Sequence, residues 1–306
     1  MISMWYSTLL LALLPSDADM LKPGDHTRSI ECDKRTRTYL VHVPKSYDGT
    51  RAVPVVLIFH GGASNAEQMV RFSGMNDKAD NAGFIAVYPN GTGRDDKLLT
   101  WNGGNCCGFA MEKNIDDVAF TRDLLDDLSK VAKIDAKRVY ATGMSNGGIM
   151  CYRLASELSD RIAAIAPVSG TMGTEKCTPK RPVSIMHFHG TEDEFVPYKG
   201  GKGEKSLSQT DFKSVEQTVS AWLKADGCKD EAKEDKIPDK AKDGTPIVRK
   251  TYGPGKNDTE VVVITIEGGG HTWPGREPAL KYLGKSTKNI SANDAMWEFF
   301  EKHPMK

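Results

Sequence analysis

The chain has 306 residues, with 41 Lys+Arg against 41 Asp+Glu and a formal net charge of zero. Its length suits one large domain or two small ones, and 39% hydrophobic with 27% charged residues excludes a disordered chain. Zero net charge argues against nucleic acid as the main partner, because phosphate binding draws on a basic surplus. Six cysteines are too few to dictate the fold at this length, though enough for up to three bridges.

The chain opens with MISMWYSTLLLALLPSDA, Met1 to Ala18. Its apolar part, Thr8 to Pro15, is shorter than the roughly 20 residues that span a bilayer and fits the core of a signal peptide. Ser16 and Ala18 offer small residues at the −3 and −1 places of a cleavage site, although no Lys or Arg precedes the apolar run. The expectation is a signal peptide over residues 1–18 and a secreted product, extracellular or periplasmic. No later stretch is apolar and long enough to span, so no membrane partner is expected.

Strand signals follow. TRTYLVHVP, Thr36 to Pro44, alternates apolar and polar residues, as a half-buried strand does. PVVLIFH, Pro54 to His60, is a continuous apolar run of the kind buried on both faces of a parallel sheet. Similar runs are FIAVY from Phe84, RVYAT from Arg138, VSIMHFH from Val183 and VVVITI from Val261. Helical patterns lie between them, over 66–82, 115–132, 148–158, 212–225 and 291–303, the last with Ser291 as a candidate N-cap. Strands alternating with helices predict an α/β fold with a mostly parallel central sheet flanked by helices. Residues 19–306 read as one domain. From Lys224 to Lys250 more than half the residues are charged, with both signs mixed, which reads as a solvated loop or exposed hairpin.

The strongest motif is Gly143-Met144-Ser145-Asn146-Gly147. A lone GxSxG says little, but this one joins a buried strand to a helix, the context that gives the motif its meaning. The serine must sit on a sharp turn, and a side chain at Gly143 or Gly147 would crowd it. The hydroxyl is then lifted clear of the sheet, and the N–H of Asn146 points at a developing oxyanion. A serine hydroxyl needs a base. In this strand order acid and then histidine follow the serine. His271, in GGGHTWPG after the last strand, is the expected base. Asp193, in the HGTEDEFVPY loop, is the expected acid, with Glu192 and Glu194 read as solvated charges. His187 and His189 read as packed or loop-bonding residues, and His303 as exposed. Gly62, after the strand ending His60-Gly61, is the candidate second oxyanion donor.

This constellation resembles the alpha/beta-hydrolase esterases of the polyhydroxybutyrate depolymerase and feruloyl esterase group. The likeness runs through VPVVLIFHGGASNAEQM, VYPNGTG, WNGGNCCG, NIDDVAF, GMSNGGIMCYRLASELSDRIAAIAPVSG, HFHGTEDEFVPYKGG and GGGHTWPG. It covers roughly Thr36 to the C-terminus. It implies carboxylic-ester hydrolysis and secretion, with Ser145 as nucleophile, Asp193 as acid and His271 as base. Only the Lys224 to Lys250 region matches no feature of the group.

Cys106 and Cys107 are adjacent, a poor geometry for an ordinary bridge, so each is expected to reach elsewhere. Cys151 reads as a buried free thiol. At least one disulfide is expected. No Cys-x-x-Cys spacing supports zinc, and no metal or cofactor is expected. Trp101, Trp273 and Tyr198 are candidate substrate contacts, aromatic walls of a cleft. The loops over 91–116 and 197–212 are rich in Gly, Lys and Asp, which predicts a shallow, wet cleft favouring short acyl groups. The expected partner is an ester substrate, a polyester or plant polysaccharide ester included, met by a monomer. The competing readings are a non-catalytic binding protein on the same fold, which would not need Ser, Asp and His together, and a serine peptidase, which would lack a large cap to hold an extended peptide.

Overall fold

A computed structural model describes residues 20–278 and 280–306; the apolar segment read as a signal peptide lies outside them. Ten strands of the described residues form one sheet. In chain order they are β1 (Gly24–Cys32), β2 (Arg35–Val43), β3 (Val53–Phe59), β4 (Ile85–Pro89), β5 (Ile134–Met144), β6 (Ala164–Val168), β7 (Ser184–Gly190), β8 (Lys233–Ile237), β9 (Ile247–Tyr252) and β10 (Val261–Ile266). Their spatial order is β1-β2-β4-β3-β5-β6-β7-β10-β9-β8. The stretch from β4 to β10 is parallel throughout, and antiparallel pairs close both edges.

The helices are α1 (Ala66–Ser73), α2 (Met75–Ala82), α3 (Gly108–Glu112), α4 (Asp117–Val131), α5 (Asn146–Glu157), α6 (Val215–Asp226) and α7 (Ala292–Lys302). They cover both faces of the sheet. Val55, Leu57 and Phe59 of β3 point into a core shared with α4, α5 and α6. Val56 and Ile58 point the other way, into a core shared with α1, α2 and α7. The period of two along a strand therefore divides one apolar run between two layers. None of the described helices is long and apolar enough to cross a membrane.

Three local differences from the sequence reading, and one agreement, have physical reasons. The helix expected over 66–82 is two helices, because Gly74 takes a left-handed conformation (φ 62°) and ends α1 with its N–H on the Val70 carbonyl. β1 carries little apolar signal, yet it pairs with β2 residue for residue through a two-residue turn, where Asp33 and Lys34 both have positive φ. The charged 224–250 region is the exposed hairpin of the two readings offered: it holds β8 and the start of β9, and its lysines blunt the sheet edge. His303 is a correction. Expected to be exposed, it is buried (9%), its Nδ1–H donating to the Phe299 carbonyl at 2.7 Å.

Candidate active site

β5 ends at Met144 and α5 begins at Asn146, leaving Ser145 alone on the turn between them. Its backbone is at φ 57°, ψ −121°, a region that L-residues rarely occupy. Close packing holds the turn there. A Cβ at Gly143 would stand 2.7 Å from the Gly147 carbonyl and 2.8 Å from that of Phe59. A Cβ at Gly147 would run into the carbonyls of Phe59 and His60. The Ser145 N–H donates to the Val168 carbonyl at 2.9 Å, which ties the turn to β6.

The loop after β7 brings Asp193 to His271, and the pair is buried (4% and 7% exposed). Oδ1 of Asp193 accepts from the N–H groups of Phe195 and Val196, each at 2.9 Å. Oδ2 is left to His271, whose Nδ1–H donates to it at 2.8 Å. Burial alone would raise the Asp193 pKa; the charge and hydrogen bond of His271 outweigh it and hold the group down at about 2. The His271 N–H donates to the Leu283 carbonyl at 2.7 Å, and the Phe195 ring stacks on the imidazole with centroids 4.9 Å apart. Glu192 and Glu194 are exposed, and Glu194 pairs with Lys205. Ser145 and His271 line the same cleft, although no hydrogen bond joins their side chains among the described residues.

Gly62 and Asn146 face each other across this floor, a Cβ at Gly62 coming 3.7 Å from that of Asn146. As the first residue of α5, Asn146 has an N–H with no acceptor inside the helix. Its side chain does structural work that sequence reasoning missed. Oδ1 accepts from the Trp101 N–H at 2.7 Å, and Nδ2 donates to the Trp101 carbonyl at 3.0 Å. The next residue, Asn102, donates its N–H to Asp117 at 2.8 Å, and Asp117 is held in turn by buried Arg37. The NIDD motif is thus part of a strut under the elbow. His60 was also missed. It is fully buried, and burial pushes its pKa down to about 4 although its bond to Gly61 opposes this. The neutral ring donates from Nδ1 to the Gly61 carbonyl at 2.7 Å and accepts the Gly91 N–H at Nε2 at 3.0 Å. The His-Gly-Gly sequence carried that signal.

The three aromatic contacts are corrections. Trp101 is fully buried; its indole N–H donates to the His60 carbonyl at 3.0 Å and its ring packs edge-on to Phe59. Trp273 is 1% exposed, donates to Asn293, and stands behind Phe72. Tyr198 is half-buried, its hydroxyl bonded to that of Thr265 and its ring against His189. None of them lines the cleft. Phe72, Phe195 and Tyr282 do, together with Met69 and Leu207. The cleft holds about 1440 Å³ and is walled largely by apolar side chains, so the expected shallow, wet site is corrected too. The two polar loops do line it, through residues such as Cys106, Met111, Leu207 and Phe212, but α1 and the 280s add Met69, Phe72, Tyr282 and Leu283, which spacing along the polar loops could not show. Cys106 and Cys107, expected to reach elsewhere, lie together as a vicinal pair on the cleft wall, and Cys32, Cys151, Cys177 and Cys228 are free.

The family model described as "Esterase PHB depolymerase" matches residues 38–195. NocK of Nocardia uniformis subsp. tsuyamanensis, which carries an esterase name, is 31% identical over 89% of this chain and 81% of its own. Feruloyl esterase B of Piromyces equi is 32% identical over 77% of this chain, and the match spans 42% of that longer protein. The solved acetyl xylan esterase from Aspergillus awamori superposes with a TM-score of 0.56 at 14% identity, covering 90% of this chain and 99% of the other. That likeness concerns the fold: an alpha/beta-hydrolase sheet with flanking helices.

Proposed function

The chain belongs to the esterase family of the polyhydroxybutyrate depolymerase and feruloyl esterase group and is a carboxylic ester hydrolase; from that premise we propose that it works through Ser145, His271 and Asp193 as one catalytic unit within a single domain, residues 19–306. Ser145 Oγ attacks the ester carbonyl while His271 Nε2 takes its proton. The N–H groups of Gly62 and Asn146 receive the oxyanion, helped by the positive end of α5. The tetrahedral adduct collapses, His271 gives the proton to the departing alkoxide, and an acyl group remains on Ser145. Water, deprotonated by His271, then releases the acid. Asp193 keeps Nδ1–H on its own side, which leaves Nε2 bare to act as base. The observation that carries this reading is the 2.8 Å bond from His271 to a carboxylate whose other oxygen is already saturated by two backbone N–H groups.

The substrate we propose is an aryl or short hydroxyacyl ester borne on a polymer. The aromatic side chains on the cleft wall and the relatives named feruloyl esterase and acetylxylan esterase support this. Export of the enzyme fits a polymeric substrate and the N-terminal apolar segment. Ser145→Ala should lower kcat on p-nitrophenyl acetate by several orders of magnitude in a protein that still folds. A rate above about a tenth of the wild-type value would exclude Ser145 as nucleophile.

A further inference from the structure

Behind Asp193 runs a buried chain of polar groups that the chemistry above does not use. It comprises Tyr152 on α5 and His187 and His189 on β7, each no more than 1% exposed. The two histidines are two residues apart on one strand, so their rings share a face and stack with centroids 5.2 Å apart. Tyr152 Oη lies 2.9 Å from His187 Nδ1, and His187 Nε2 lies 3.0 Å from His189 Nδ1. His189 Nε2 lies 2.7 Å from the Val196 carbonyl oxygen and 3.5 Å from Asp193 Oδ2.

The protons along this chain are ordered from its loop end. A carbonyl oxygen only accepts, so His189 Nε2 carries hydrogen. Burial keeps both rings neutral, with one N–H each. His189 Nδ1 must then accept from His187 Nε2–H, and His187 Nδ1 must accept from the Tyr152 hydroxyl. Every donor points toward the loop over 193–196. That loop is therefore gripped from two sides. Asp193 Oδ1 holds the Phe195 and Val196 N–H groups, and His189 holds the Val196 carbonyl.

We propose that His189, with His187 and Tyr152 behind it, is a positioning residue that fixes the Asp193 carboxylate against His271. This rests on the reading of Asp193 and His271 as acid and base.

Two variants of similar polarity separate this role from simple core packing. The amide nitrogen of Gln reaches the place of the imidazole Nε2 and can donate to Val196. The shorter Asn occupies the place of Nδ1 and cannot. His189→Asn should lower kcat about 10- to 100-fold with KM within about threefold, the size of effect seen when an outer partner of a functional group is lost. His189→Gln should recover most of that loss. The low-field proton resonance of the His271–Asp193 hydrogen bond should shift or broaden in the Asn variant and stay in place in the Gln variant. Equal kcat in the two folded variants, or a loss in the Asn variant with the resonance unmoved, would overturn the proposal. Failure of the site reading looks different: Ser145→Ala or His271→Ala would keep its activity, while the resonance would still report on His189.

Discussion

At the floor of the cleft, Gly143 and Gly147 stand where an added Cβ would meet backbone carbonyls, whereas at the rim Leu207 is 92% exposed and Tyr282 56% exposed. The floor is built where β3 and β5 end side by side, and backbone contacts between them allow almost no variation in it. The rim is gathered from α1, the loop near 207 and the 280s, and only side chains set its shape. The same cleft therefore combines a part that sterics dictate with a part that is free to vary. On the proposed function, the chemistry would belong to the first and selectivity to the second.

The largest effect should come from breaking the floor. Gly147→Ala places a Cβ against the Phe59 and His60 carbonyls, and backbone cannot move aside as a flexible side chain can. Its cost should reach about 3 kcal/mol, the top of the usual overpacking range. Thermal unfolding and esterase rate should fall together; an active variant with wild-type stability would show that the elbow is looser than its contacts indicate.

Changes at the rim should be smaller and selective. Tyr282→Ala and Phe195→Ala remove aromatic surface, each stacking pair contributing about 0.5–1.5 kcal/mol beyond area burial. Tyr282→Ala should lower kcat/KM for methyl ferulate about tenfold and for p-nitrophenyl acetate less than about twofold. Phe195→Ala should weaken both, because that ring also packs on His271. Equal losses on the two esters in Tyr282→Ala would place the aryl group elsewhere. A rate maximum at palmitate across an acyl-chain series would show that the apolar wall serves long alkyl tails, each methylene contributing about 0.8 kcal/mol.

The effects least tied to the cleft concern buried titrating groups away from the rim, and they act on stability and not on rate. His60 has its pKa lowered by burial to about 4, so between about pH 6.5 and 4 the unfolded chain binds the extra proton. Stability falls as pH drops through that window, by about 3 kcal/mol for this group. His187, His189 and His303 are shifted in the same direction, also chiefly by burial. Asp226 opposes them. Burial raises its pKa to about 7, Oδ1 accepts the Val183 N–H, and Oδ2 has no partner among the described residues. Its contribution is full below about pH 4 and is lost as pH rises through 7. Asp226→Asn keeps the acceptor and removes the charge, so it should raise Tm most at pH 8, less at pH 5, and little below about pH 4. A lower Tm at pH 8 would mean that Asp226 is paired and charged in the folded protein.

Local sterics and hydrogen-bond chemistry made much of this molecule readable before folding. PVVLIFH reads as a strand covered on both faces, and GMSNGG between strand and helix reads as an elbow with small residues beside the serine. The loops that carry Asp193 and His271 point to them as an acid and base pair, and the structure brings the two side chains to 2.8 Å. AIAPV does not read as a strand because it is short and holds two alanines and a proline, and pairing with β5 and β7 makes it one.

The aromatic residues show where such reading stops. Trp101 and Trp273 sit in glycine-rich loops, and a loop gives no sign of which way a large ring will turn. Each ring found buried space and an acceptor for its indole N–H, and so left the cleft. Phe195 and Tyr282 took the wall instead, 6.1 Å apart, carried there by a loop after β7 and a segment almost ninety residues later. Spacing and steric rules act over a few residues and pointed to the central apolar strands and the elbow. Which rings face the substrate depends on contacts between segments far apart in the chain, and those exist only once the sheet has brought the loops together.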